Sequence, residues 1–196
     1  MRRAKQLSNL FFLPAAIAAI TLITGCENDL KDIQKISAAE VNRPGQRYTD
    51  VDVIYSDSAK VKAHMTAPLM LDFEKDKTRK AYVEMPKGVK VTFYDDKLQV
   101  SSTIVADYAV RHVDEKLIEL RKNVVGTNIK GDTFSSDELI WDENTRQIHS
   151  NKLVHVKMAD GSITDGTSFT SDENLNHWIM TQGTGIINVK DQDISH

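Results

Sequence analysis

Residues 100–141 read VSSTIVADYAVRHVDEKLIELRKNVVGTNIKGDTFSSDELIW. Short runs rich in β-branched, aliphatic and aromatic residues alternate there with polar turn residues, the composition of successive strands joined by tight turns. Outward from this stretch, turn signals recur about every 8 to 12 residues from residue 51 onward, and no long segment has helical periodicity. The sequence therefore predicts an all-β fold, a twisted antiparallel sandwich or roll of stacked hairpins.

A short phrase recurs within this pattern. Residues 133–138 read TFSSDE and residues 168–173 read SFTSDE, 35 positions later, and a tryptophan follows each copy at Trp141 and Trp178. Self-similarity at such a period indicates stacked β-hairpin units, each entered through the phrase. A chance match between six short polar residues is the alternative interpretation.

The N-terminus has the features of an export signal. Arg2, Arg3 and Lys5 precede a mostly apolar run from residue 10 to 23, and the run ends in Ile-Thr-Gly before Cys26. This pattern predicts a lipoprotein signal peptide over residues 1–25, cleavage before Cys26 and lipidation of that cysteine. An ordinary signal peptide with a coincidental cysteine is the alternative. Residues 26–50 are then a polar tether, and residues 51–190 form the β domain.

Charge and motif content narrow the function classes. The chain carries a formal charge of −3, and without the three basic residues of the signal it carries −6, so the basic footprint of a nucleic-acid-binding protein is missing. Cys26 is the only cysteine, so no internal disulfide forms. No phosphate loop or nucleophile motif occurs, and the carboxylates at 137–138 and 172–173 are interpreted as turn residues. We therefore expect neither an enzyme nor a cofactor.

Six histidines are scattered along the chain, and two of them, His149 and His155, have an even spacing that would place them on one face of a hairpin. Metal ligation needs at least a third ligand and an orienting outer shell. The sequence points to neither, so no metal site is predicted.

Alternation along the predicted strands places one apolar set on the inward face. Its members are Ile104, Ala106, Tyr108, Ile118, Leu120, Leu139, Trp141, Val154, Val156 and Phe169. If the two sheets close on one another, this set fills a core. If the sheets splay apart, the same set lines an apolar trough.

From about residue 51 to 187 the sequence resembles the LptC family, and more broadly the OstA-like domains of lipopolysaccharide export. The resemblance is carried by ADYA at 106–109, ELRKNV at 119–124, TFSSDELIWD at 133–142 and GTG at 183–185. It implies an open β-jelly roll whose inward apolar set contacts lipid acyl chains.

The resemblance also implies partners. A domain of this family accepts lipopolysaccharide from an inner-membrane ABC transporter and passes it to a periplasmic β-jelly-roll bridge protein, docked edge to edge by strand addition. Better-known members are held by a transmembrane helix, whereas this chain has a lipidation signal. We expect a periplasmic protein anchored by its N-terminal lipid, with the inner membrane favoured by transport logic. A closed-cavity lipid or lipoprotein carrier and a structural envelope lipoprotein are the competing interpretations.

Overall fold

A computed structural model describes residues 43–187 of the 196-residue chain. The predicted signal peptide, Cys26, most of the predicted tether and residues 188–190 of the predicted domain lie outside the described residues. Within residues 43–187, no helix is long and apolar enough to cross a membrane.

The described part of the chain is all-β, as predicted, and forms a β-jelly-roll-like sandwich. Hydrogen bonds join all its strands into one continuous antiparallel sheet. The strands are β1 (Gln46–Asp57), β2 (Lys60–Phe73), β3 (Tyr82–Met85), β4 (Val89–Tyr94), β5 (Val100–Ala106), β6 (Tyr108–His112), β7 (Leu117–Asn128), β8 (Thr133–Asp142), β9 (Gln147–Ser150), β10 (Val154–Lys157), β11 (Ile163–Asp172) and β12 (Trp178–Ile186).

The sheet is divided into two layers because the long strands β2, β7, β8 and β11 change partner partway along. One half of each pairs with β4, β5 or β10, which we call layer A, and the other half pairs with β3, β6 or β9, which we call layer B. The layer A halves are residues 63–66, 125–128, 133–136 and 163–166, and the layer B halves are 71–73, 117–121, 140–142 and 169–172.

The two layers face one another and bury a common core. Phe93 of layer A meets the Trp141 ring of layer B edge-on, with centroids 4.8 Å apart. Phe134 of layer A lies 5.6 Å from Phe169 of layer B. All four side chains are almost fully buried. Large aromatic side chains contribute much of the burial in a core of this size.

The points where a strand changes layers have specific local chemistry. In β7, Lys122 and Asn123 have φ values of 64° and 49°, and the pairing with β8 shifts there. The break in pairing at these two residues accompanies the change of layer. A proline often bends or ends a strand, but β2 continues through Pro68 to Phe73. Pro68 lies at the change of layer, in a gap of the ladder to β1, so its missing N–H removes no ladder bond.

The sequence of residues 81–85 and 89–94, joined by Pro86-Lys87-Gly88, predicts a hairpin, but strands β3 and β4 do not pair with each other. β3 pairs with β2 and β6, and β4 pairs with β2 and β5. The link between them carries the chain from layer B to layer A through Gly88, whose φ is 92°. A Cβ there would lie 3.1 Å from the carbonyl oxygen of Ala106, so the close crossing favours glycine.

The structure contains an internal repeat, but its units begin at other residues than the sequence phrase predicts. The phrase at 133–138 begins β8, whereas the phrase at 168–173 ends β11, so the predicted 35-residue unit is wrong. The equivalent strands are β8 and β11, 30 residues apart; both have 10 residues and pair first with β10 and then with β9. Each ends in an aspartate followed by Glu-Asn, at 142–144 and 172–174.

We expect the buried layer interface to carry most of the stability. Leu120 is fully buried in the core cluster, so Leu120→Ala should lower the free energy of unfolding by about 2–5 kcal/mol. Leu153 is 61% exposed and provides the matched control. Leu153→Ala should change the free energy of unfolding by less than about 0.5 kcal/mol. Urea unfolding measures both values. Equal losses in the two variants would contradict the placement of the core.

Candidate functional site

Nine of the ten predicted inward residues lie in the buried cluster between the layers; the exception is Tyr108. The nine are Ile104, Ala106, Ile118, Leu120, Leu139, Trp141, Val154, Val156 and Phe169. Each is at most 6% exposed. Most of this set packs as a filled core, and only Ile118 and Trp141 also line a cavity.

Tyr108 was predicted to face inward and does not. Its hydroxyl donates to Glu84 at 2.7 Å, and the Lys122 ammonium lies 5.5 Å from its ring centroid. The chain changes layers between β5 and β6 at Asp107, whose N–H donates to the Lys122 carbonyl. That crossing interrupts the alternation of period two, so Ala109 takes the buried position instead.

A cavity of about 260 Å³ lies between the layers beside strand β1. Three methionines from β2 and β3 contribute to its largely apolar wall. The lining residues are Val53, Ile54, Tyr55, Ala63, Met65, Met70, Val83, Met85, Arg111, Ile118, Trp141 and Glu143. Methionine is flexible and polarizable, which suits a wall that adapts to the shape of an apolar guest. The sequence offered this signal, because Met65, Met70 and Met85 make up half of the six methionines in the chain.

Trp141 forms the aromatic end of the cavity. Tyr55 of β1 meets its ring edge-on at 5.6 Å, while Phe93 meets it from layer A. Burial, with nearby carboxylates of which Glu143 is the largest contributor, raises the pKa of Tyr55. A ring held by two edge-to-face contacts is rigid. Trp141 thus provides a fixed surface opposite the flexible methionines.

An ion pair forms the polar part of the wall. Arg111 of β6 is placed next to Ile118 by the sheet register, and its Nε and Nη2 donate to the two Glu143 carboxylate oxygens at 2.8 and 2.9 Å. The Glu143 side chain is 3% exposed and that of Arg111 is 30% exposed. The hydrogen bonds to Glu143 raise the pKa of Arg111. The fork geometry satisfies a carboxylate that is almost fully removed from water.

A second buried carboxylate, that of Glu173, contacts Trp141. Glu173 accepts a hydrogen bond from the Trp141 indole Nε1 at 3.0 Å and from Arg146 Nε at 3.1 Å. Glu143 was not predicted from the sequence as a site residue, and Glu173 was interpreted only as a turn residue. The recurrence of Asp-Glu-Asn at 142–144 and 172–174 is the signal that pairs them, because the turns after β8 and β11 are equivalent in the fold.

The terminal strands are edges of the described sheet. β1 pairs only with β2, and β12 pairs only with β11, among residues 43–187. Both carry large exposed apolar side chains, including Ile54 at 62% and Ile179 at 72%. The outer N–H and C=O groups of an edge strand are available to pair with another strand. Because β1 is also a wall of the cavity, the cavity lies beside one of the two edges.

The histidine pair considered from the sequence is not brought together. His149 pairs with Ile140 and Thr170 in layer B, whereas His155 pairs with Ser135 and Asp165 in layer A. Within the described part of the chain, no three His, Cys, Asp or Glu side chains are grouped to hold a metal ion.

No known protein family matches this chain, and no curated protein is significantly similar to it. The geometry itself favours binding of an apolar chain: the cavity is apolar apart from one ion pair whose charges satisfy each other. At about 260 Å³ it is smaller than the roughly 300–1,000 Å³ of most small-molecule sites. It therefore accommodates part of one alkyl chain rather than a whole lipid.

Breaking the interior ion pair should be costly, because Arg111→Met leaves the buried Glu143 carboxylate unpaired. We expect the free energy of unfolding to fall by about 3 kcal/mol, and the double variant Arg111→Met with Glu143→Met to recover most of that loss. Urea unfolding of Arg111→Met, Glu143→Met and the double variant together gives the coupling energy.

The exposed ion pair of Lys60 and Asp96 serves as the control, because these side chains are 61% and 70% exposed. Lys60→Met should change stability by no more than about 1 kcal/mol. Simple additivity of Arg111→Met and Glu143→Met would show that the two charges do not depend on each other.

Tyr108 should make stability fall at alkaline pH. Burial, helped by the hydrogen bond to Glu84, raises its pKa to about 12, above the value near 10 of an unfolded tyrosine. The folded state therefore favours the protonated phenol, and this stabilisation is complete below pH 10 and lost as the pH rises from about 10 to about 12. In Tyr108→Phe, the tyrosinate absorbance titration should lose its highest-pKa component. An unchanged titration would refute the assignment.

Proposed function

We propose that this protein is a membrane-anchored periplasmic lipid-binding protein that accepts lipopolysaccharide from an inner-membrane ABC transporter and passes it along a β-roll bridge to the outer membrane. The proposal joins the predicted lipoprotein signal, the resemblance to the LptC family and the jelly-roll-like fold. It assigns no hydrolytic activity to this chain, and the energy comes from the partner ATPase.

The observation that carries the proposal is the apolar cavity beside β1. An acyl chain cannot cross an aqueous compartment unshielded, because each methylene removed from water contributes about 0.8 kcal/mol. The cavity offers aliphatic, methionine and aromatic surface to such a chain. Its place next to an edge strand, rather than in the middle of the roll, suits a chain that enters from a neighbouring protein.

The two edges supply the docking surfaces that a bridge requires. Strand addition at β1 would continue the sheet into the transporter-side partner or into the next roll, with main-chain hydrogen bonds giving affinity and side-chain pockets giving specificity. Both β1 and β12 are long enough for this, at 12 and 9 residues. A partner sheet at β1 would also extend the walls of the cavity beyond this chain.

Photocrosslinking in living cells tests the proposal. A photoreactive residue replaces Met70 or Val83, two half-buried residues of the cavity wall, and Lys97 in the exposed turn between β4 and β5 is the control. We expect adducts with lipopolysaccharide at the two cavity positions and none at Lys97.

The absence of adducts at both cavity positions, with the protein folded and localised in the envelope, would overturn the lipid-transport proposal. Equal adduct formation at Lys97 would also overturn it, because contact would then be a property of the whole surface.

A structural envelope lipoprotein is the second candidate. It is favoured by the filled core that most of the predicted lining residues form. This candidate uses the fold as a rigid spacer and predicts no contact between the cavity wall and lipid. The same experiment therefore separates the two candidates.

A further inference from the structure

The turn between β11 and β12, residues 173–177, lies at the end of layer B, reaches over to hydrogen-bond with layer A, and fills the interior with one of its own side chains. We call this turn the strap. Leu175 at its centre is fully buried, packed against the layer A side of the core. We infer that the strap is displaceable and that the seat of Leu175 is a subsite for a lipid alkyl chain. The inference rests on the proposed lipid-binding function.

The strap is held to layer A by two hydrogen bonds. The Ser102 hydroxyl of β5 donates to the Glu173 carbonyl, and the Asn128 side-chain amide of β7 donates to the Leu175 carbonyl at 3.0 Å. The layer B side is held by Trp141, whose indole nitrogen donates to the Glu173 carboxylate. The seam between the layers is therefore closed here by a few polar contacts and one side chain, not by strand pairing.

The seat of Leu175 is shaped by a glycine. A Cβ at Gly126 of β7 would lie 2.8 Å from Leu175 Cδ1, so the leucine occupies the space that any other residue at position 126 would need. Phe134 and Ile104 border the same position, at 3.6 and 3.8 Å from that Cβ. Aliphatic and aromatic atoms thus surround a cleft into which a branched hydrocarbon group fits.

The equivalent turn after β8 has no apolar side chain in the position that Leu175 takes in the strap. Both turns begin with Asp-Glu-Asn, and both aspartates accept hydrogen bonds from backbone N–H groups of their own turn. After residues 142–144, Thr145 and Arg146 remain exposed, and Glu143 borders the cavity. After 172–174, Leu175 turns inward instead. Trp141 links the two places, since its ring lines the cavity and its Nε1 binds Glu173.

The closed strap carries two unfavourable features. Leu175 has a φ of 55°, in the left-handed region that is unfavourable for a non-glycine residue. Asn176 Oδ1 is shielded from solvent and accepts no hydrogen bond from any described residue, which is unfavourable for a buried polar atom. Both are relieved when the strap swings outward, and an alkyl chain in the seat replaces the contacts that Leu175 gives up.

The test uses the full chain in vesicles of phosphatidylethanolamine and phosphatidylglycerol, with palmitic acid carrying a chain-terminal diazirine as the photoreactive probe. Trypsin releases residues 81–87, which contain Val83 and Met85 of the cavity, and residues 123–130, which contain Gly126. Mass spectrometry of the labelled peptides therefore reports on the two sites separately.

We expect the wild-type protein to be labelled in peptide 81–87 and weakly in 123–130. Leu175→Ala, which empties the seat, should raise labelling of 123–130 several-fold and leave 81–87 unchanged. Ser102→Ala removes one anchor of the strap without creating a cavity, and it should raise labelling of 123–130 as well. Leu139→Ala, a fully buried leucine on β8, controls for general loosening of the core.

Labelling confined to 81–87 in every variant would overturn the strap inference and leave the proposed lipid binding intact. An equal rise in Leu139→Ala would also overturn it, because access would then follow from any loss of core packing. Labelling of neither peptide in any protein would overturn lipid binding and the strap inference together.

Discussion

The fold depends on strands that belong to two layers at once. Because β2, β7, β8 and β11 each pair with one set of neighbours and then with another, the layers are joined by continuous backbone and stay face to face while the ladder is intact. The contact of Phe93 with Trp141 is a consequence of this constraint, since each ring is fixed by its own layer. In such a sandwich, the two layers are held together strongly where a strand passes from one to the other. They are held less strongly where only turns from the two layers are in contact.

The interior charges follow from the same constraint. The turns after β8 and β11 lie where only turns link the two layers. Each turn places a glutamate beside Trp141. A carboxylate in that position needs a partner, because desolvating an unpaired charge is strongly unfavourable. Arg111 and Arg146 supply the partners from neighbouring elements. The ion pairs therefore belong to the way the roll is closed and require no catalytic role.

Local alternation was sufficient to predict the all-β fold. Nine of the ten residues predicted to face inward are buried, because a half-buried strand imposes a period of two on its side chains. Alternation failed at two of the points where the chain changes layers, between β5 and β6 and between β3 and β4. Tyr108 lies just after such a crossing, and the pairing of β3 with β4 was mispredicted for the same reason. A change of layer is set by distant partners and leaves little local trace. The cavity was missed because the predicted lining set began at Ile104, after the strands that form most of its wall.

The interior is packed differently at its two ends, with a cavity near β1 and filled packing near β12. This difference would affect how a lipid chain moves through the proposed site. At the β1 edge there is open apolar space, whereas near β12 the Met180 side chain lies over Gly166, where a Cβ would come within 2.5 Å of its sulfur. Trp178 stacks on Phe169 at the same end. Under the proposed function, a chain that enters beside β1 would meet a filled region before it reaches β12. Flexible side chains such as Met180 adapt more readily than a crossing strand, since rotamer changes leave the ladder intact. Onward passage of such a chain would then depend on movements of side chains and turns, with the strand pairing of both layers unchanged.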